Sequence, residues 1–375
     1  MTMARNILYV IPSLDVGGTE MQLALLARQL LRTSFAPIIL CLQREGELAE
    51  SVRKSGVPVD CLETDNSMSY KTCRNVKWFC RDLKIDIVHT FLSGTDLGAV
   101  RGARAAGVGA VVTSRRQIPD WMKGRPLRLQ KLANKKTDRV VCNSRAAQEF
   151  IREREKIPAE KTSVIYNGFP ENAIPDRPLI MSRPLKKEAL RPFLIQKDEA
   201  VLACIANFFE VKNHKMLLDG FRKVLLKAVK VRLLLIGDGP LRNKVERYAD
   251  EINLGVATEF LGTRLDRLKI LAECDGLVLA SLNESFPNAV LEAQALGIPV
   301  IASRVGGVPE LVEHGETGWT FDPRDIGSIA GALWTLLTYR DDAIRVAGAA
   351  QQQVRTKFSA GNMVANYLSL YEGLR

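Results

Sequence analysis

Two glutamates eight residues apart, in the stretch Glu284-Ser-Phe-Pro-Asn-Ala-Val-Leu-Glu292, stand where the residue pattern turns from strand to helix. Leu277 to Ala280 is a short apolar run of the kind a buried parallel strand needs, and Pro287 suits the first helical position, where its missing N–H is not needed. Ala289, Val290, Ala293 and Leu296 recur at three-to-four spacing, Gly297 ends the helix, and Ile298 to Ala302 resumes a buried-strand pattern. Glu284 therefore falls in the loop beyond a strand, and Glu292 lies about one and a half turns into the next helix. N–H groups of Phe286, Asn288 and Ala289 at that helix start would attract an anion. The two acids flanking them are suited to accept hydrogen bonds from hydroxyls. One loop acid and one solvated helix acid, with no shared task, is the plainer reading of the spacing alone.

Three other strand ends carry useful side chains. Asn6 to Ile11 runs into Gly17-Gly18-Thr19-Glu20 and an amphipathic stretch with Leu23, Leu26, Ala27 and Leu30. Glycine in such a strand–turn–helix unit lets backbone approach a ligand, although a merely tight turn would use the same residues. Asp86 to Phe91 places His89 near a strand end, as a site residue or as a hydrogen-bonded core histidine. Val201 to Phe208 leads into Phe208-Phe209-Glu210-Val211-Lys212, whose lysine either neutralises an anion or lies in solvent.

The elements that must position these residues alternate strand and helix, which argues parallel sheets with crossover helices. Strands are expected at 6–11, 37–42, 57–62, 86–91 and 110–114, with 139–144 before the next helical stretch and 162–168 closing the first half, then at 201–208, at 231–240 with its terminal Gly-Asp-Gly-Pro turn, and at 298–302. At a prior of about 150 residues per domain, 375 residues make two. The prolines at 170, 175, 178, 184 and 192 mark the boundary. The expected division is a first domain at 1–168, a linker at 169–192, a second domain at 193–358, and a final helix at 359–375 that crosses back to the first.

Seven scattered cysteines with no C-x-x-C pair argue against a disulfide framework or a zinc site, and for a reducing cytoplasm. No run approaches eighteen apolar residues, so a membrane span is not expected. The charge is lopsided: Lys and Arg outnumber Asp and Glu by 32 to 20 in residues 1–192, against 21 to 22 in the rest. A basic cluster at 101–161 suits anionic lipid headgroups or an acidic acceptor, or is simply solvated. Nucleic acid is disfavoured, because no aromatic platform accompanies the charge.

The spacing from Glu284 to Glu292, with Phe286-Pro287-Asn288 inside it and Gly306-Gly307-Val308-Pro309-Glu310 after it, resembles the signature of retaining GT-B glycosyltransferases, in particular glycosyltransferase family 4. The resemblance implies an α/β protein with the GT-B fold, two Rossmann-like doubly wound domains facing a central cleft. It implies transfer of a sugar from a nucleotide diphosphate sugar to an acceptor hydroxyl, with retention at the anomeric carbon. The donor would be a co-substrate, with no metal or other cofactor, in keeping with the lack of an Asp-x-Asp pattern. Carried onto this chain, Glu284 and Lys212 become catalytic residues, with His89 as a neighbour that would serve. Gly17, Gly18, Lys212, Gly262, Thr263, Arg264, Phe286, Pro287, Asn288, Ala289 and Glu292 become donor-binding residues. Two positions depart from the family pattern: Phe91 stands where a second histidine is usual, and Asn207 where a loop arginine is common. A glycan or lipid-linked acceptor and peripheral contact with the inner face of an anionic membrane are the expected partners. An epimerase or hydrolase on the same scaffold, or a non-catalytic GT-B-like partner protein, are the rival readings.

Overall fold

Every residue of the first strand is apolar from Ile7 to Ile11 because both of its faces are covered. Ile7, Tyr9 and Ile11 enter one core with Leu23, Leu26 and Leu30, while Leu8 and Val10 enter a second with Val76, Val88 and Val100. Such two-sided burial is the usual condition of a parallel sheet. The computed structural model describes the chain except residues 1–3, 65–68, 93–94, 120–121, 182–188, 191–192, 194, 196–198, 228 and 375.

Two compact units result: Met1–Gly168 together with Ala360–Arg375, and Phe169–Ser359. In the first, strands β1 (Arg5–Ile11), β2 (Phe35–Cys41), β3 (Val59–Cys61), β4 (Ile87–Phe91), β5 (Ala110–Arg115), β6 (Arg139–Cys142) and β7 (Thr162–Val164) form one sheet in the order β3-β2-β1-β4-β5-β6-β7. All neighbours are parallel. The helix Ala360–Glu372 belongs to this unit because Met363, Tyr367 and Tyr371 fill its core.

In the second unit, β8 (Ala200–Ile205), β9 (Val231–Ile236), β10 (Thr258–Gly262), β11 (Gly276–Leu279), β12 (Val300–Ser303) and β13 (Trp319–Phe321) are ordered β10-β9-β8-β11-β12-β13, again all parallel. Each unit thus has the 3-2-1-4-5-6 order of a dinucleotide-binding sheet, with one switch point, at β1/β4 and at β8/β11.

The described residues of the proline-rich stretch are not a free tether. Of the linker expected at 169–192, residues 182–188 and 191–192 lie outside the described residues. The rest packs on the second unit, where Gln351 and Arg355 donate to the Pro175 carbonyl at 3.1 and 2.5 Å and Ile174 and Ile180 are buried. Prolines stop helix and strand there without preventing docking.

Candidate active site

Crevices outside the carboxyl ends of the two switch-point strands are where open α/β sheets hold ligands. In the second unit those ends belong to β8 and β11, and each is followed by one of the charged residues singled out above. Lys212 closes a short 3-10 turn, Glu210–Lys212, and Glu284 lies in the loop after β11. Lys212 Nζ donates to Glu284 Oε1 at 2.5 Å, and Ser281 Oγ donates to the same oxygen at 2.7 Å. Both ion-pair partners are mostly covered, with 24% and 10% of the side chain exposed.

The loops are laced together by bonds that no local pattern announces. Asn213, in the left-handed region at φ 56°, donates to the Ala280 carbonyl at 3.2 Å and the Pro323 carbonyl at 2.9 Å. That ties the β8 loop to the end of β11. Ser303 Oγ donates to the Ser281 carbonyl at 2.6 Å, and Gly307 N–H donates to the Glu284 carbonyl at 3.0 Å. Ser281, Asn213, Ser303 and Arg267 were not among the sequence candidates.

The helix Asn288–Leu296 begins beside this pair and ends at Gly297, left-handed at φ 65°. Pro287 is its cap rather than its first helical residue, because its ψ of 116° is extended. Phe286 is buried edge-on against Phe358, with 5.4 Å between ring centres, so its side chain is core and only its backbone faces the helix start. Glu292 is buried and held by Arg267, whose Nη2 and Nε lie 2.7 and 3.3 Å from its two oxygens. The arginine fixes the carboxylate's orientation and leaves it lone pairs for a further donor.

Gly262 ends β10 at φ 66°, and its carbonyl accepts from Gly237 N–H at 2.9 Å. Gly262 and Thr263 therefore lie at the same carboxyl edge, two strands from β8, or about 10 Å at the usual strand spacing. Arg264 spends its guanidinium on Asp266, with two bonds of 2.7 Å. Asn207, in the place of the expected arginine, is exposed, and Lys212 is the loop's only cation from 207 to 212. The next residue but one, His214, stacks on Phe208 at 4.3 Å, and burial, helped by the Lys212 charge, pushes its pKa down to about 4.

In the first unit Gly17 caps the helix Gly18–Leu30, beside the β1/β4 switch point of that sheet. A Cβ on Gly17 would run into the Glu20 carboxylate, so glycine is required for that acid to fold back over the turn. His89 is not available to a substrate. It is fully buried, its Nδ1 is 2.7 Å from Tyr371 Oη and its Nε2 is 2.8 Å from Ser114 Oγ. Burial, with the nearby Arg116 charge, holds its pKa well below the usual histidine value. Among the described residues no group of three or more His, Cys, Asp or Glu side chains could hold a metal, and no helix is long and apolar enough to cross a membrane.

Two family models cover the units in turn: Glycosyltransferase Family 4 over residues 16–172 and Glycosyl transferases group 1 over 186–353. The chain belongs to the family 4 and group 1 glycosyltransferases. The glycosyltransferase is 30% identical to the N-acetyl-alpha-D-glucosaminyl L-malate synthase of Bacillus anthracis over 57% of its own length and 54% of that protein. The chain thus spans about half the length of that relative. It is 29% identical to an Escherichia coli UDP-Gal:alpha-D-GlcNAc-diphosphoundecaprenol alpha-1,3-galactosyltransferase over 76% and 75% of the two chains. Its fold matches that of Anabaena Alr3699/HepE, crystallised with UDP and glucose, at a TM-score of 0.87, with 22% identity, over 99% of this chain and all of that one. Two Rossmann-like parallel-sheet units and these neighbours make the fold GT-B.

Proposed function

We propose that this glycosyltransferase moves a sugar from a nucleoside diphosphate sugar to an acceptor hydroxyl with retention at the anomeric carbon. The carrying observation is the meeting of Lys212 and Glu284 at the β8/β11 switch point, next to the start of the helix Asn288–Leu296. In this reading the donor diphosphate rests against the helix start and Lys212. Lysine has three N–H donors, so one can hold a phosphate oxygen while another keeps Glu284. Glu284 accepts from sugar hydroxyls, Glu292 from ribose hydroxyls, and the turn Gly262–Arg264 lies on the base side. Gly17 and Gly18 allow close backbone approach to a ligand on the first unit.

As the bond from the anomeric carbon to the leaving phosphate oxygen breaks, negative charge gathers on that oxygen, and Lys212 and the helix start stabilise it. The acceptor oxygen attacks from the same face and its proton passes to the leaving phosphate. This scheme needs neither a covalent nucleophile nor a metal ion. The names of the two curated relatives, which act on a malate and on a diphosphate-linked lipid, support an acceptor that carries negative charge.

Peripheral docking on the inner face of an anionic membrane fits the first unit's surface. The helix Tyr70–Asp82 exposes Tyr70 (81%) and Trp78 (59%) among the exposed cations Lys71, Arg74 and Arg81. The helix Gly124–Asn134 adds exposed Arg125 and Arg128. Interfacial aromatics among cations suit a lipid headgroup layer.

A panel of UDP-, GDP- and ADP-sugars, read by thermal shift and then by product analysis with and without acceptor, tests the reaction. Donor turnover that yields an epimer without acceptor would replace the transferase reading by the epimerase one. Stabilisation by no nucleotide would remove it.

A further inference from the structure

Arg115 and Arg116 are consecutive, both are buried, and their surroundings are opposite. Alternation along a strand sends neighbouring side chains to opposite faces. Arg115 meets Asp96 at 2.8 Å and Glu155 at 3.0 Å, with Asn134 Oδ1 at 2.8 Å. Arg116, 7% exposed and just beyond β5, has no carboxylate within ion-pair distance among the described residues. Its Nη2 donates to Asn167 Oδ1 at 2.5 Å, its Nη1 reaches Tyr367 Oη only at 3.4 Å, and its guanidinium carbon lies 5.6 Å from the Phe91 ring centre. Its Nε–H is buried and has no acceptor among the described residues.

A guanidinium cannot shed its proton, and a buried charge without a partner is costly. The position is informative. Phe91 ends β4, and Glu20, which feels the Arg116 charge and whose own pKa burial raises, follows the Gly17–Gly18 turn after β1. Arg116 therefore belongs to the carboxyl edge at the switch point of the first sheet, where such sheets take ligands. In an arginine the Nε–H and one N–H of Nη2 lie on the same side of the guanidinium, a fork that grips two oxygens of a phosphate or carboxylate.

We propose that Arg116 forms an anion subsite on the first unit and reads a phosphate or carboxylate borne by the acceptor. The subsite itself stands on a buried guanidinium whose Nε–H has no acceptor among the described residues; that its ligand is the acceptor rests on the transferase reading.

The test uses the full chain and inorganic phosphate and pyrophosphate as probes, against sodium chloride at equal ionic strength. Wild-type Tm should rise with the logarithm of probe concentration above its Kd, and the Arg116 Nε–Hε cross-peak in a 15N spectrum should move with it. Arg116→Met should start at a Tm no lower than wild type, because a buried charge is gone and no carboxylate among the described residues loses an ion-pair partner. It should lose the anion response and keep its response to the nucleoside diphosphate that stabilises wild type. Lys212→Met should keep the Arg116-dependent response. A Tm deficit in Arg116→Met combined with an insensitive wild type would make Arg116 a structural residue and overturn the subsite. Loss of the nucleotide response in Arg116→Met would assign the anion to the donor and overturn the acceptor reading. A wild type that ignores every nucleotide yet answers pyrophosphate through Arg116 would sink the transferase reading and leave the subsite standing.

Discussion

Replacing Lys212 by methionine removes one positive charge from the crevice beyond β8 and β11 and keeps most of the side-chain volume. In the free protein the lysine is 2.5 Å from Glu284 Oε1, with both groups partly covered. At an effective dielectric near 20, charges about 3 Å apart attract by roughly 5 kcal/mol. Removing the lysine leaves the Glu284 carboxylate, only 10% exposed, without its cation, so the fold should lose about 3 kcal/mol. Catalysis should suffer more. One charge-assisted hydrogen bond to a bound diphosphate is worth about 1.5–3 kcal/mol, or roughly a 10- to 100-fold weaker donor. A donor aimed at charge that develops only as the bond breaks is worth about 10²–10³ in kcat. Initial rates of nucleoside diphosphate release, measured across donor concentration, separate the two effects, with Tm measured alongside. Glu284→Gln and the double variant complete the cycle, and because the residues touch, their losses should fall short of additivity by about 0.5–3 kcal/mol. If Lys212→Met keeps kcat and donor KM within threefold of wild type, the residue is a loop lysine and the clamp is wrong.

Glu292→Ala should be less stable by about 1.5–3 kcal/mol, since Arg267, only 14% exposed, loses its two hydrogen bonds to that carboxylate. It should also bind donor weakly, whereas Glu292→Gln, which retains an acceptor for a ribose hydroxyl, should bind better; urea unfolding and nucleotide titration read the two effects. Arg115→Met should lower stability by about 3–5 kcal/mol in urea, because Asp96 and Glu155 are left buried together. The remaining folded protein should turn over at the wild-type rate. His214 titrates at about 4 in the fold against 6.5 unfolded, so its stabilisation is complete above pH 6.5 and is lost as pH falls through 4. The loss is about 3 kcal/mol over that window. His214→Phe, which keeps the stack on Phe208, should flatten that part of the urea-midpoint profile relative to wild type.

Strand runs and their sequence of alternation were legible because two-sided burial makes each strand continuously apolar. The Gly297 stop was legible because a left-handed cap favours glycine. Strand ends are less so: Val57 to Leu62 is expected as one strand, yet only Val59–Cys61 pairs with β2. What the local pattern could not carry was side-chain pairing made by crossover connections. Lys212 and Glu284 are 72 positions apart and Arg267 and Glu292 are 25 apart, with no periodicity linking either pair. His89 stands near the end of β4, where a ligand residue is expected. Its burial comes from Tyr371, 282 positions later, on a helix whose packing partner the sequence did not name from spacing.

Phe91 stands where the resembled family usually has a second histidine. It is buried, its ring centre is 4.6 Å from that of His89 and 5.8 Å from that of Tyr9, and the Arg116 guanidinium lies over it. His89 itself has both nitrogens engaged and is held neutral. The first unit therefore presents no histidine free to act as a base at this strand end. If the leaving phosphate takes the proton, no base is missing, and catalysis rests on stabilising the departing diphosphate. Phe91→His, which restores the residue common in the resembled family, should then leave kcat unchanged. It should lower Tm, because a ring nitrogen buried beside a cation, without a partner, costs about 1–3 kcal/mol. A tenfold or greater rise in kcat in that variant, with a new limb in the pH–rate profile near the histidine range, would show that the proton needs a side-chain base after all.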